Sequence, residues 1–206
     1  MNGKLKIGII GVGGISAVHI DAYRHNPHAE LYALCDIDAE KLREKGNRYG
    51  IERLYTSAEE MLSALPELDA VSVCTWNSAH APCAIAALNA GKHVVVDKPF
   101  TLDMQEARDL IALAQEKQRL LSVFHNRRWD SDFLGIKQII EQGTLGKVKH
   151  LESHIDRFRP EVRVRWREQN VPGSGLWFDL GPHLIDQTLQ LFGLPQSVQG
   201  NIATLR

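Results

Sequence analysis

Cysteine is scarce in this chain: Cys35, Cys74 and Cys83 are the only three, and none stands in a CxxC pair. An odd number at these spacings argues against a disulfide framework. Cys35 and Cys74 sit in apolar runs, where a thiol serves as a small buried side chain. This usage fits a reducing compartment and predicts a cytoplasmic protein. Charge of one sign is lacking too, since 24 Lys and Arg against 25 Asp and Glu leave a formal net charge of −1. No global field then favours nucleic acid or an anionic membrane. No run reaches the roughly 18 apolar residues that a membrane span needs. Lys4 and Lys6 ahead of the apolar run 7–20 superficially resemble a signal peptide, but the glycine density and the helical pattern that follows argue against one. There is no internal repeat and no low-complexity tract. No pair of ligand-type side chains has a recognised metal-site spacing, so no metal is expected.

What is present is an ordinary apolar fraction, 44% of 206 residues, enough to bury a core. Short apolar runs alternate with helical patterns. Strands are predicted at residues 4–10, 31–35, 54–55, 70–74, 93–96 and 120–124. Between them the pattern predicts helices at 16–25, 39–49, one capped by Ser57 with Glu60 at capping-box spacing, 79–90, and 102–117 with Asp103 as N-cap. Such alternation predicts an α/β fold, a doubly wound parallel sheet covered by helices on both faces. The pattern changes near residue 126. A helix is predicted at 132–142, a long strand at 148–158, an extended loop with five arginines at 157–170, a helix at 184–192 and a last strand at 197–205. The reading gives a dinucleotide-binding domain over 1–125 and a partial substrate or oligomerisation domain over 126–206.

Three constellations carry chemistry. Gly11-Val12-Gly13-Gly14-Ile15-Ser16 follows a strand and opens a helix. Gly11 permits the tight turn, Gly13 lets the backbone approach a pyrophosphate, and the helix N-terminus receives the negative charge. The third position holds Ser16, a small residue in place of the usual glycine. Asp36, about 20 residues on at the end of the second strand, can accept both ribose hydroxyls and would repel a 2′-phosphate, which favours NAD over NADP. Lys41 and Arg43 nearby keep NADP open. Asp97-Lys98-Pro99 follows the fifth strand, where ligands of open sheets bind; Lys98 can hydrogen-bond a substrate hydroxyl and stabilise an alkoxide. Pro99 fixes the turn. Lastly, Asp179, His183 and Asp186 are spaced i, i+4, i+7 and would share one helix face. A carboxylate beside an imidazole suits a general base. Pro182 strains that argument, because it would kink the helix or start it. Each constellation also has a plainer reading: a glycine turn, an N-cap aspartate, a solvated loop lysine, a structural histidine.

Taken together, these residues resemble the Gfo/Idh/MocA oxidoreductase family. The resemblance rests on residues 8–16, Asp36, Thr75-Trp76-Asn77-Ser78-Ala79-His80, Asp97-Lys98-Pro99 and residues 173–186, in the family's order. Residues 119–195 are similar to its NADP-dependent scyllo-inositol dehydrogenase branch. The resemblance implies an N-terminal Rossmann domain followed by an incomplete α/β substrate domain, and hydride transfer between a secondary alcohol of a sugar or cyclitol and NAD or NADP. It implies catalytic roles for Lys98, Asp179 and His183. Gly11, Gly13, Gly14, Ile15, Asp36, Thr75, Asn77, His80, Asp97, Lys98 and Arg127 would border the cofactor. The family usually has Glu where Asp97 stands; Asp keeps the charge and shortens the reach. The branch's NADP preference conflicts with Asp36.

The chain ends after what reads as the second strand of the family's C-terminal sheet, so the expectation is a fragment, or a chain completed by another. A completed sheet would join copies into a homo-oligomer. Two other functions stay open: a glycosidase-type reaction with no net reduction of cofactor, and a nucleotide-binding regulatory or inactive module. The arginine-rich stretch 157–167 has Phe158 and Trp166 interleaved, but Asp156, Glu161 and Glu168 break its charge. It reads as a substrate-site or interface loop, with no nucleic acid expected.

Overall fold

The computed structural model describes residues 3–156 and 158–203. Six strands, β1 Leu5–Ile10, β2 Ala29–Cys35, β3 Leu54–Tyr55, β4 Ala70–Val73, β5 His93–Asp97 and β6 Leu121–Phe124, form one sheet in the order β3-β2-β1-β4-β5-β6. Every adjacent pair is parallel. This is the doubly wound order that reverses direction between β1 and β4, and ligands of such sheets sit at that reversal.

Between the strands lie α1 Ser16–His25, α2 Ala39–Tyr49, α3 Ala58–Ala64, α4 His80–Asn89 and α5 Met104–Glu116. Local chemistry sets their ends. Asp38 accepts from the Lys41 N–H, Ser57 from that of Glu60, and Asp103 from those of Gln105 and Glu106. Of the capping box only the Ser57 half is made, and the Ser57 hydroxyl also donates to the Glu59 carboxylate at 2.9 Å. Two apolar clusters cover the two faces of the sheet. One joins Ile9, Leu31 and Leu34 to Ile20 of α1 and Leu42 of α2. The other joins Val71, Val73, Val94 and Val96 to Met61 of α3, Ala84 and Leu88 of α4 and Leu110 of α5. Burial of each large side chain contributes about 1.5–3 kcal/mol.

Beyond β6 the chain forms a 3-10 turn at Asn126–Trp129, then α6 Ser131–Glu141, a second 3-10 turn at Trp166–Glu168, and α7 Gly175–Phe192. Two expectations need correction. Residues 148–156 and 158 form no strand, nor do 197–203, while 204–205 and Arg157 fall outside the described residues. A strand needs a hydrogen-bonded neighbour, and no described segment pairs with these residues as one. Phe158, Val198 and Ile202 are accordingly exposed. The second sheet through which copies were expected to associate is thus not formed among the described residues. In addition, α7 begins nine residues before the expected start at 184 and runs through Pro182 without ending. No helix among the described residues is long and apolar enough to cross a membrane.

Candidate active site

At the sheet reversal, Gly11 turns the chain out of β1 with φ +93°, and its N–H donates to the Cys35 carbonyl at 2.8 Å. A Cβ on Gly11 would lie 2.7 Å from the Cys74 carbonyl carbon and oxygen and from the Thr75 nitrogen. Only glycine lets these two strand ends approach so closely. A Cβ on Gly13 or Gly14, by contrast, would meet nothing within 4 Å. Ile15, the N-cap of α1, makes no side-chain cap, so no capping side chain occupies the first N–H groups of the helix. Asp36 Oδ2 accepts from the Val12 N–H at 2.7 Å, and Oδ1 from the Asp38 N–H at 2.9 Å. A cavity of about 580 Å³ follows, lined among others by Gly11, Gly13, Asp36, Lys41, Thr75 and Trp76. Backbone donors at a helix start, a carboxylate placed for a ribose, and a cavity of this size fit a dinucleotide.

The second half of the site lies past β5. The Lys98–Pro99 peptide is cis, and Lys98 is buried. Its ammonium donates to the Asp179 carbonyl at 2.8 Å and reaches Asp179 Oδ1 at 3.4 Å. His183 stands one turn along α7 and is buried as well. Burial, then the charges of Lys98, Arg127 and His125, push its imidazole down to about 4, with Asp179 opposing. The ring is therefore neutral at physiological pH and can accept a proton. Asp97 is buried, and its carboxyl is pushed up to about 6 by burial, against the Lys98 charge.

Lys98, Asp179 and His183 thus share one neighbourhood. Of the expected cofactor residues, Gly11, Gly13, Asp36 and Thr75 line the cavity, whereas Gly14, Ile15, Asn77, His80, Asp97, Lys98 and Arg127 are not part of its wall. Asn77 is buried, and its amide donates to the Gly173 carbonyl at 2.7 Å. Gly173, at φ +79°, has no room for a Cβ against Leu102 and Asn77. His80 is 1% exposed; its Nδ1 lies 2.7 Å from the Pro99 carbonyl and its Nε2 3.3 Å from that of Thr75. Both side chains brace the loops of the site instead of lining the cavity. Arg127 pairs with Asp130 at 2.9 Å.

Several contacts were not foreseen. Asp186 holds Arg128 through two hydrogen bonds, at 2.8 and 2.5 Å, and Gln187 donates to the Arg127 carbonyl at 3.0 Å. Together they fasten the Asn126–Trp129 turn to α7. Arg167 places Nε 3.4 Å from Asp179 Oδ1. The i+7 position of Asp186 and the arginine-rich stretch were the only signals in the sequence, and neither names a partner.

Buried histidines also set an acid limit. His19, packed 4.2 Å from the Phe124 ring, is pushed down to about 4 by burial. As pH falls below 6.5 the unfolded chain takes up protons that folded His19 and His183 refuse. Stability therefore falls between pH 6.5 and about 4, and these two groups add no further loss below that. Thermal midpoints measured across this window should fall, and His19→Leu should flatten the decline.

The oxidoreductase family model for the NAD-binding Rossmann fold, GFO/IDH/MocA, matches residues 5–125, and the GFO/IDH/MocA C-terminal domain model matches 133–206. The chain belongs to the GFO/IDH/MocA oxidoreductase family. Its similarity to other members runs along its whole length. It is 47% identical to the Escherichia coli oxidoreductase YdgJ over 207 aligned residues, covering 100% of this chain and 59% of YdgJ. It is 38% identical to the Bacillus subtilis scyllo-inositol 2-dehydrogenase (NADP(+)) IolW, covering 98% of this chain and 56% of IolW. The crystal structure of a Klebsiella pneumoniae oxidoreductase is 62% identical and superimposes with a TM-score of 0.86, over 98% of this chain and 56% of that one. The chain thus spans somewhat more than half the length of these GFO/IDH/MocA relatives.

Proposed function

We propose that this chain is the dinucleotide domain and part of the substrate domain of an NAD(P)-dependent dehydrogenase acting on a secondary alcohol of a sugar or cyclitol, with the division at residues 125–126. The observation that carries this reading is the Lys98–Asp179 contact past β5, with His183 one turn along α7 within reach of both charges, in a chain that also has a glycine-lined cavity at the sheet reversal. When bound, a nicotinamide dinucleotide supplies the two-electron acceptor for the substrate carbon. Gly11, Gly13, Gly14 and Ile15 would receive its pyrophosphate. Asp36 and Thr75 would border the adenosine half, while Asp97, Lys98 and Arg127 would border the nicotinamide half.

The neutral His183 ring takes the proton of the reacting hydroxyl. The Lys98 ammonium donates to the same oxygen as its negative charge grows. Asp179 holds that ammonium by its carbonyl and carboxylate. IolW, a scyllo-inositol dehydrogenase, makes cyclitols the first substrates to try. Incubating the chain with NAD or NADP and a panel of inositols and aldoses should raise reduced-nicotinamide absorbance. Dinucleotide binding without reduction by any polyol would select the non-catalytic reading.

We further propose NAD as the preferred cofactor. The Asp36 carboxylate lines the cavity, and the nearest ammonium, that of Lys41, is paired with Asp38 at 3.1 Å, which leaves little positive charge for a 2′-phosphate. Asp36→Ser should improve NADP binding by about tenfold or more and weaken NAD binding, since one charged contact counts for roughly 1.5–3 kcal/mol. Calorimetry with both dinucleotides measures this. Tighter binding of NADP than NAD by the parent chain would overturn the assignment.

A further inference from the structure

Building on the dehydrogenase reading, we propose that Arg167 is a positioning residue for Asp179, sharing its carboxylate with Lys98 and setting the charge that His183 faces.

The turn that carries Arg167 is built to aim it. Arg165 Nε donates to both carboxylate oxygens of Glu168, at 2.8 and 2.6 Å, and closes the Trp166–Glu168 turn locally. The Trp166 ring stacks on Trp76, with centroids 6.0 Å apart and planes 19° apart. Trp76 itself lines the dinucleotide cavity. The Arg167 guanidinium lies over Trp166, 4.6 Å from the ring centroid, where the ring's negative face holds a cation. From that seat its Nε stands 3.4 Å from Asp179 Oδ1, the same oxygen and the same distance as Lys98 Nζ.

Two cations on one carboxylate oxygen divide its pull. Without Arg167, Asp179 would close on the Lys98 ammonium and engage donors that a substrate hydroxyl needs. Arginine suits the task because its guanidinium is planar and always charged. The consequence reaches His183, which faces Lys98 past β5, His125 and Arg127 beyond β6, and Asp179 on its own helix, with Arg128 held by Asp186 nearby. Asp186 spends its charge on Arg128, which leaves Asp179 as the carboxylate that favours a protonated ring, and Arg167 neutralises part of that charge.

The test is NMR titration of labelled histidines in the full chain. Arg167→Gln removes a positive charge and frees the Asp179 carboxylate, the one charge that raises the His183 midpoint, so that midpoint should rise above about 4 while burial still holds it below 6.5. Arg167→Lys keeps the charge and should hold the midpoint low. Trp166→Ala, which removes the seat, should move it upward in part, and Trp166→Phe should not. With an active chain, Arg167→Gln should also raise KM for the polyol about tenfold, as loss of one charged contact implies, and leave dinucleotide affinity within about twofold. A role in loop packing alone predicts the same behaviour for Gln and Lys and an unmoved midpoint. An unmoved midpoint in Arg167→Gln, with parent-like melting, overturns the proposal. A raised midpoint in a chain that turns over no polyol would leave the positioning intact and remove the dehydrogenase reading.

Discussion

Lys98→Met should lower turnover by about 10²–10³-fold, the usual cost of losing one donor aimed at a developing oxyanion. Methionine nearly matches the lysine stem in volume, so packing around the buried side chain changes little. What disappears is the ammonium, together with its bond to the Asp179 carbonyl at 2.8 Å. Asp179 keeps Arg167 at 3.4 Å and so retains a counter-charge. The loss should therefore fall mainly on kcat, with the melting temperature close to that of the parent and a smaller loss of dinucleotide affinity from the nicotinamide end. Steady-state kinetics alongside calorimetry separates these effects. Parent-like kcat in Lys98→Met would remove the lysine from the mechanism.

Gly11→Ala and Gly13→Ala should fail in different ways, although they sit two residues apart. At Gly11 an added Cβ would strike the backbone of Cys74 and Thr75 at 2.7 Å, at a φ of +93°. Backbone cannot swing aside as a side chain can. Left-handed strain of about 1–2 kcal/mol adds to overpacking of about 1–3 kcal/mol. The sum is a large share of the roughly 5–15 kcal/mol that holds a domain folded. Urea unfolding should show a much lower midpoint. At Gly13 the added methyl meets open space, so the unfolding midpoint should hold. Dinucleotide affinity should instead fall, because the methyl stands where a pyrophosphate must approach the backbone. If Gly13→Ala bound dinucleotide as tightly as the parent, the cavity would not be the pyrophosphate site.

The first 125 residues were legible nearly to the residue, for local reasons. The helices α1 and α2 begin and end where the reading put them, and Ser57 and Asp103 cap as their types suggest. Parallel strands buried on both faces read as short apolar runs, and β1, β4 and β5 are such runs. Residues 148–158 show why the second half resisted. The sequence there names no neighbour for a strand to pair with, and without one the described residues 148–156 and 158 do not form a strand. The end of α7 was readable, but its start was not, since Pro182 read as a break while the helix takes it in stride. Within the site, the residues that follow strand ends could be placed from topology alone. Contacts between distant segments could not: Asn77 with Gly173, Arg128 with Asp186 and Arg167 with Asp179 depend on how the late turns fold back. For the same reason His80 read as a cavity residue when it is an internal brace.

That brace has a mechanical side. His80 stands between two carbonyls, and a neutral imidazole carries one proton. Burial keeps the ring neutral, so with the proton on the nearer nitrogen the Pro99 oxygen is hydrogen-bonded, and the Thr75 oxygen meets only a lone pair. In that tautomer one loop is pinned and the other rests against the ring. Any breathing of the pocket mouth should accordingly come from the Thr75–Trp76 wall, while the strand end that carries Lys98 stays still. Such a lopsided tether would let a bulky guest slip in without disturbing the group that must meet it.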